Sequence, residues 1–251
     1  MNKKIPFIDL NTCNTQEELL SGCIENVHMY YHTITKGTYK CFESDNFFHI
    51  FILISGTVNL IQKNENTAIS SRATFIPAPF LSFSLNSKEK ALLLEMRCKS
   101  FEGDEILLDE YGTTFPYIVP YEASIQYWDR HKTMKTIPRI MIKQRTIPRV
   151  SIGSCESKGP DHIIAHAHPM LDQFFYSFPE NNTIVSIDDE KIHFKGNCLL
   201  YIPLGSNHGS IVEKDDHLHY VWIDYFVTQD GMDRLDSMHI PTGNMRNVKD
   251  L

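Results

Sequence analysis

Apolar and polar residues alternate along much of this chain, in runs too short for long helices and broken by Gly, Pro and Asn. From His28 to Met96, β-branched and aromatic stretches are interrupted at Gly37, Gly56, Asn64-Glu65-Asn66 and Pro77, which predicts a series of strands. The apolar run from Ile50 to Ile54 is one buried strand, far shorter than a membrane span. A second strand series covers Arg139 to Cys155 and Ile163 to Phe226, with Thr183 to Asp224 reading as strand, turn and strand. From His217 to Phe226 the alternation sets His217 and His219 on one face and Tyr220, Trp222 and Asp224 on the other. Whichever face points inward lines a pocket. Helix signals are few. Thr15 to Glu18 has the form of a capping box and predicts a short helix to about Val27; the tail from Gly231, with Met232, Met238 and Met245, predicts another and a loose end. Gly103, Gly112, Pro116 and Pro120 mark a transition, so the predicted organisation is all-β, divided near Pro120 into residues 1–120 and 121–251. Closed barrels accommodate this many strands without exposed sheet edges.

Candidate chemistry concentrates in two segments of the second half. His166 and His168 are two residues apart, so on a strand their imidazoles project from the same face. Nitrogens converging in this way suit a first-row divalent metal, and His208, about forty residues on, offers a third imidazole from a neighbouring strand. The bend at Pro169 can bring Gln173, a weak oxygen ligand, to the same centre. Asp172 is anionic and adjacent, but alternation turns it away. A lone His-x-His is often only a polar strand face, and an amide such as Gln173 can equally serve the backbone.

Read together, these segments resemble the cupin superfamily. Its first motif appears as Gly159, a six-residue gap, His166-Ala167-His168, four residues, and Gln173; Pro169 follows the second His as in germin-like members. The second appears as Gly196, six residues, and Pro203-Leu204-Gly205-Ser206-Asn207-His208. The resemblance implies two cupin barrels (double-stranded β-helix or jelly-roll) in tandem, with His166, His168, Gln173 and His208 holding a divalent metal such as Fe, Mn, Zn or Ni. Two positions depart from the pattern. Gln173 stands where Glu is usual, which leaves the metal's charge less neutralised, and Glu180-Asn181-Asn182 replaces a turn Gly, which Asn tolerates.

The first half has a fainter outline of the same motifs. His49 and Gly56 are spaced like the acid and Gly of the first, and Pro77 onward like the second, with Cys41 and Glu43 in place of the His pair and Ser82 in place of the distal His. Cys41, Glu43 and His49 are all ligand types, yet the better reading is a degenerate barrel kept for packing or dimerisation, with His49 wholly or partly buried.

Composition is that of a globular protein, 42% apolar and 22% charged. A net charge of −7 without a run of basic residues disfavours nucleic-acid binding. Lys143, Arg145 and Arg149 alternate as on one strand face; if inward, they would attract a carboxylate or phosphate. The N-terminus lacks the features of a signal peptide, and six Cys without CxxC pairs suggest reduced thiols, so a cytoplasmic protein away from membranes is expected; the resemblance to bicupins implies a homodimer. Cys198 is expected to pack in the core.

Three neutral imidazoles and a neutral amide leave a bound dication nearly its full charge, which favours Lewis-acid chemistry on a small oxygenated substrate, as isomerase, lyase or decarboxylase. His219, Tyr176 and Tyr220 lead the acid–base candidates, with His162, His193 and His217 behind them. The same ligand set with Fe(II) serves a dioxygenase, and a non-catalytic binding protein or sensor is the reading from another class; fold alone does not choose.

Overall fold

The short, punctuated apolar runs fold as antiparallel strands throughout the computed structural model, which describes residues 5–13, 17–243 and 245–248. Contacts divide the chain between Ser124 and Ile125, with the segment ending at Asn11 grouped with the C-terminal unit. The first strand, Phe7–Asp9, accordingly pairs with Cys198–Ile202 rather than with the strands that follow it.

The unit Thr12–Ser124 is built from a six-stranded and a four-stranded sheet. The long strands Phe47–Ser55 and Ala91–Lys99 form the middle of the larger sheet. Its core is aromatic: Phe42 stacks on Phe83 at 4.4 Å between centroids, and Phe51 on Phe75 at 4.8 Å. Within this unit Glu95 is fully buried. Its Oε2 meets His32 Nε2 at 2.5 Å, its Oε1 meets His49 Nδ1 at 2.6 Å, and Arg97 donates to both oxygens. Burial alone would raise the Glu95 pKa, but the hydrogen bonds from His32, His49 and Arg97 outweigh it and hold the carboxyl well below its ordinary range.

The C-terminal unit has an eight-stranded sheet and a four-stranded one. Leu171–Ser177 and His217–Phe226 are neighbours near the middle of the larger sheet; Asp161–Ala167 and Asn207–Val212 pair in the smaller. Side chains such as Phe175, Val185, Phe194, Cys198 and Leu200 fill the core between them.

Among the described residues the fold is all-β with two short α-helices, Asp104–Tyr111 and Gln229–Met238, and neither is long and apolar enough to cross a membrane. No helix runs from Glu17 to Val27; residues 15 and 16 of the expected capping box lie outside the described residues. Instead Glu18–Leu19 pairs with Tyr30 and Met29, burying Leu19, and left-handed backbone at Leu20, Gly22 and Asn26 prevents helical continuation. The alternation of Lys143, Arg145 and Arg149 is likewise not that of a strand. They lie in the loop after Ile137–Ile142, where Arg145 and Arg149 have positive φ and Arg145 pairs with Asp233 and Asp236 of the terminal helix. Among the described residues no two cysteines are joined in a disulfide, and Cys198 is buried in the core.

The Glu95 cluster makes the fold sensitive to acid. Because the folded pKa lies below the unfolded one, the stabilisation is present above about pH 4.5 and is lost as pH falls below it. Glu95→Ala is expected to cost about 3–5 kcal/mol and to flatten the acid limb of stability, read by urea unfolding of the full chain from pH 7 to pH 3.

Candidate metal centre

His166 and His208 face each other directly across the antiparallel pair Asp161–Ala167 and Asn207–Val212. The register shifts between Ile163 and His166, a bulge that re-aims the end of the strand. Gly209 permits it: a Cβ there would lie 2.7 Å from the Ile163 carbonyl oxygen and 3.0 Å from the Ala165 backbone. Gly205 makes the turn before His208 with φ +75, and its N–H donates to the His168 carbonyl at 3.2 Å, tying the two histidine-bearing segments together. His168 follows the strand at the bend before Pro169.

The three imidazoles converge. Their ring centroids are 4.8, 5.0 and 5.5 Å apart, and one ligand atom from each lies within 4.8 Å of the others. His166 Nδ1 is 2.7 Å from the Ile164 carbonyl oxygen and His208 Nδ1 3.1 Å from that of Ser206. A carbonyl only accepts, so in both rings Nδ1 carries the proton and Nε2 keeps its lone pair, the tautomer that metal ligation requires. Burial lowers all three pKa values, with neighbouring positive groups adding to it: His166 to about 3, His208 to about 4, His168 well below its ordinary value. All three are neutral near pH 7.

Gln173 reaches the same cavity from Leu171–Ser177, in the other sheet. Its Nε2 donates to Asp224 Oδ1 at 2.7 Å, while its Oε1 is buried without a partner. A buried amide oxygen left open beside three lone-pair-bearing imidazoles fits a divalent metal, which these four residues would hold. Asp172, on the opposite strand face, accepts from the Tyr201 hydroxyl at 2.7 Å.

The cavity is narrow and open to solvent on one side. Strand parity decides who lines it. Tyr220, Trp222 and Asp224 face inward, and Tyr220 stacks on Phe175 at 4.5 Å. His219 and Tyr176, expected at the chemistry, are on the outward parity of their strands: Gln173 and Phe175 take the inner face of Leu171–Ser177, and His219 Nδ1 bonds Glu180 Oε1 at 2.6 Å. Neither lines the cavity. His162 is exposed, and His193 Nε2 bonds Asn182.

In the N-terminal unit, Cys41 and Glu43 are exposed, whereas His49 is buried against Glu95 and Asp45. Among the described residues, no cluster of three or more convergent metal-ligating side chains lies in that unit.

The inner wall contains groups that the motifs do not mark. Lys132 is buried, its Nζ hydrogen-bonded to Asp129 Oδ2 and 5.3 Å from the Tyr127 ring centroid. Burial opposes its charge, but Cys155, Asp129 and Tyr220 outweigh burial and raise its pKa. Asp129 also accepts from the His131 backbone at 2.8 Å, and the His131 ring stacks on His166 at 4.2 Å. Burial pushes Asp224 up to about 7, against the Gln173 hydrogen bond and Lys132. Only the two-residue spacing of Tyr127 and Asp129 hinted at a shared face.

No protein-family model matches this sequence, and no curated protein does. Solved structures do. An IolB-like protein from Salmonella typhimurium is similar at TM-score 0.71 and 10% identity, over 89% of this chain and 94% of that one. An oxalate decarboxylase from Lactobacillus farciminis, in complex with formate, gives 0.67 and 10% over 91% and 88%. A cupin 2 conserved barrel domain protein from Leptotrichia buccalis gives 0.60 and 13% over 90% and 99%. The fold is that of the cupin superfamily. These matches extend over both units of the chain, and identities this low establish the architecture alone.

Elemental analysis of protein purified without added metal is expected to find divalent metal, with one equivalent lost in the His166→Ala/His208→Ala variant. Full retention by that variant would remove the assignment.

Proposed function

We propose that the C-terminal cupin barrel is a metal-dependent enzyme acting on a small carboxylate as isomerase, lyase or decarboxylase. The observation that carries this reading is the shared cavity: three neutral imidazoles, the open Gln173 Oε1 and the buried Lys132 ammonium line one pocket. A bound divalent ion would polarise a carbonyl or carboxylate oxygen and stabilise developing enolate charge. Lys132 orients an anionic substrate by a charge-assisted hydrogen bond, while its pairing with Asp129 fixes where the ammonium sits. Tyr220 keeps its proton, because burial pushes its pKa well above the ordinary value, and so donates from the cavity wall. Trp222 and Phe175 supply apolar wall that limits water. The similarly folded oxalate decarboxylase is named for a small dicarboxylate, an anion of the kind a lysine ammonium at the cavity wall would attract.

The test is turnover and binding by the metal-loaded protein on a panel of small oxo-, hydroxy- and dicarboxylates, with and without oxygen. Conversion without oxygen supports the proposal; conversion only with iron and oxygen replaces it with a dioxygenase. Tight binding with no conversion replaces it with a binding protein. Lys132→Met/Asp129→Leu removes both buried charges together, so neither is stranded. It is expected to weaken carboxylate binding about 10- to 100-fold, the loss of one charged hydrogen bond of roughly 1.5–3 kcal/mol.

A further inference from the structure

The outward face of His217–Phe226 carries a second constellation of ligating atoms. Glu156 lies directly opposite His219 in the register with Val150–Lys158, and His217 follows two residues away on the same face. One ligand atom from each of Glu156, His217 and His219 falls within 4.8 Å of the others. Glu156 Oε1 is 3.6 Å from His217 Nε2 and 3.8 Å from His219 Nδ1. Glu180, in the turn before Asn182–Ile187, places Oε1 2.6 Å from that same Nδ1. Ligands held about 2.0–2.1 Å from a tetrahedral zinc ion are roughly 3.3 Å from one another, so the observed separations bracket a metal-sized gap.

We infer that Glu156, His217, His219 and Glu180 form a second divalent-metal site, of the closed, four-ligand structural kind that suits zinc. Two further observations point to a ligand. His217 Nε2 is buried and stands 3.6 Å from Glu156 Oε1, longer than a good hydrogen bond. The His219 backbone is pinned as well, its N–H donating to Asn181 Oδ1 at 2.7 Å, so its ring is held in the turn that carries Glu180. Two carboxylates match the charge of a dication, while Arg139 acts electrostatically on Glu156 and opposes it. The His217 and Glu180 side chains remain partly exposed, 26% and 32%, so an ion can enter from solvent. On binding, the metal would take the place of the proton between His219 Nδ1 and Glu180 Oε1, and the ring proton would move to Nε2. Such a clamp joins two strands of the large sheet to the Glu180 turn. It is independent of the inner histidines and of the proposed catalytic reading.

Equilibrium dialysis of the full chain against zinc separates the sites. The wild type is expected to bind two equivalents, His217→Ala/Glu156→Gln one, and His166→Ala/His208→Ala one. Loss of the outer equivalent is expected to lower the midpoint of zinc-loaded thermal unfolding without altering inner-site occupancy. A wild type that binds a single equivalent, lost with the inner histidines, overturns the inference. So does undiminished binding of two equivalents by His217→Ala/Glu156→Gln. If the inner-site variant fails to fold, the wild type against the outer-site variant decides alone.

Discussion

The inner centre depends on one cross-strand register: His166 opposite His208 in an antiparallel pair. Two ligands on facing strands meet only if neither strand slips, because a one-residue slip would send one imidazole to the other face. The bulge before His166, and the room that Gly209 leaves for it, set that register locally. The hydrogen bond from Gly205 to the His168 carbonyl then ties the third histidine to the turn ahead of the second strand. Backbone carbonyls complete the arrangement by holding Nδ1 of two rings protonated, which leaves their Nε2 atoms open.

The two units use similar side chains to opposite ends. In the N-terminal unit both oxygens of Glu95 are occupied by His32, His49 and Arg97, so the carboxylate is satisfied within the protein. The cluster is therefore a stabilising one, with no oxygen held back for a ligand. In the C-terminal unit the corresponding balance is left open: neutral imidazoles, an amide oxygen without a partner, and a lysine whose charge is answered by Asp129 rather than by the donor set. Buried donors left open at a cavity are costly unless something binds there.

How much of this was legible in the sequence follows from what periodicity can see. The strands, the His166/His168 pair and His208 were legible, because two-residue alternation and turn residues encode faces directly. Alternation separated the two faces of His217–Phe226 but could not say which was inward; that depends on the opposing sheet, and so His219 was misplaced. Tyr176 was misplaced for the same reason, one residue out of phase with Gln173 and Phe175. Lys132 carried no signal and Asp129 only its two-residue spacing from Tyr127, since they precede the first motif and meet the histidines only through tertiary packing. The Thr15–Glu18 capping signal failed on Leu19, whose burial in a sheet outweighed local helix preference.

The strand His217–Phe226 therefore presents chemistry on both faces, Tyr220, Trp222 and Asp224 inward and His217 and His219 outward. Its rigidity matters to the cavity, because Asp224 orients the Gln173 amide and Tyr220 packs on Phe175. A clamp on the outer face would act on that geometry without touching it: Glu156 and His219 are register partners, so fixing them fixes the pairing of the strand that carries the inner wall. The coupling is mechanical and local. It needs no conformational change, only that the ladder between the two strands be harder to open with an ion bound on its outer side than without one.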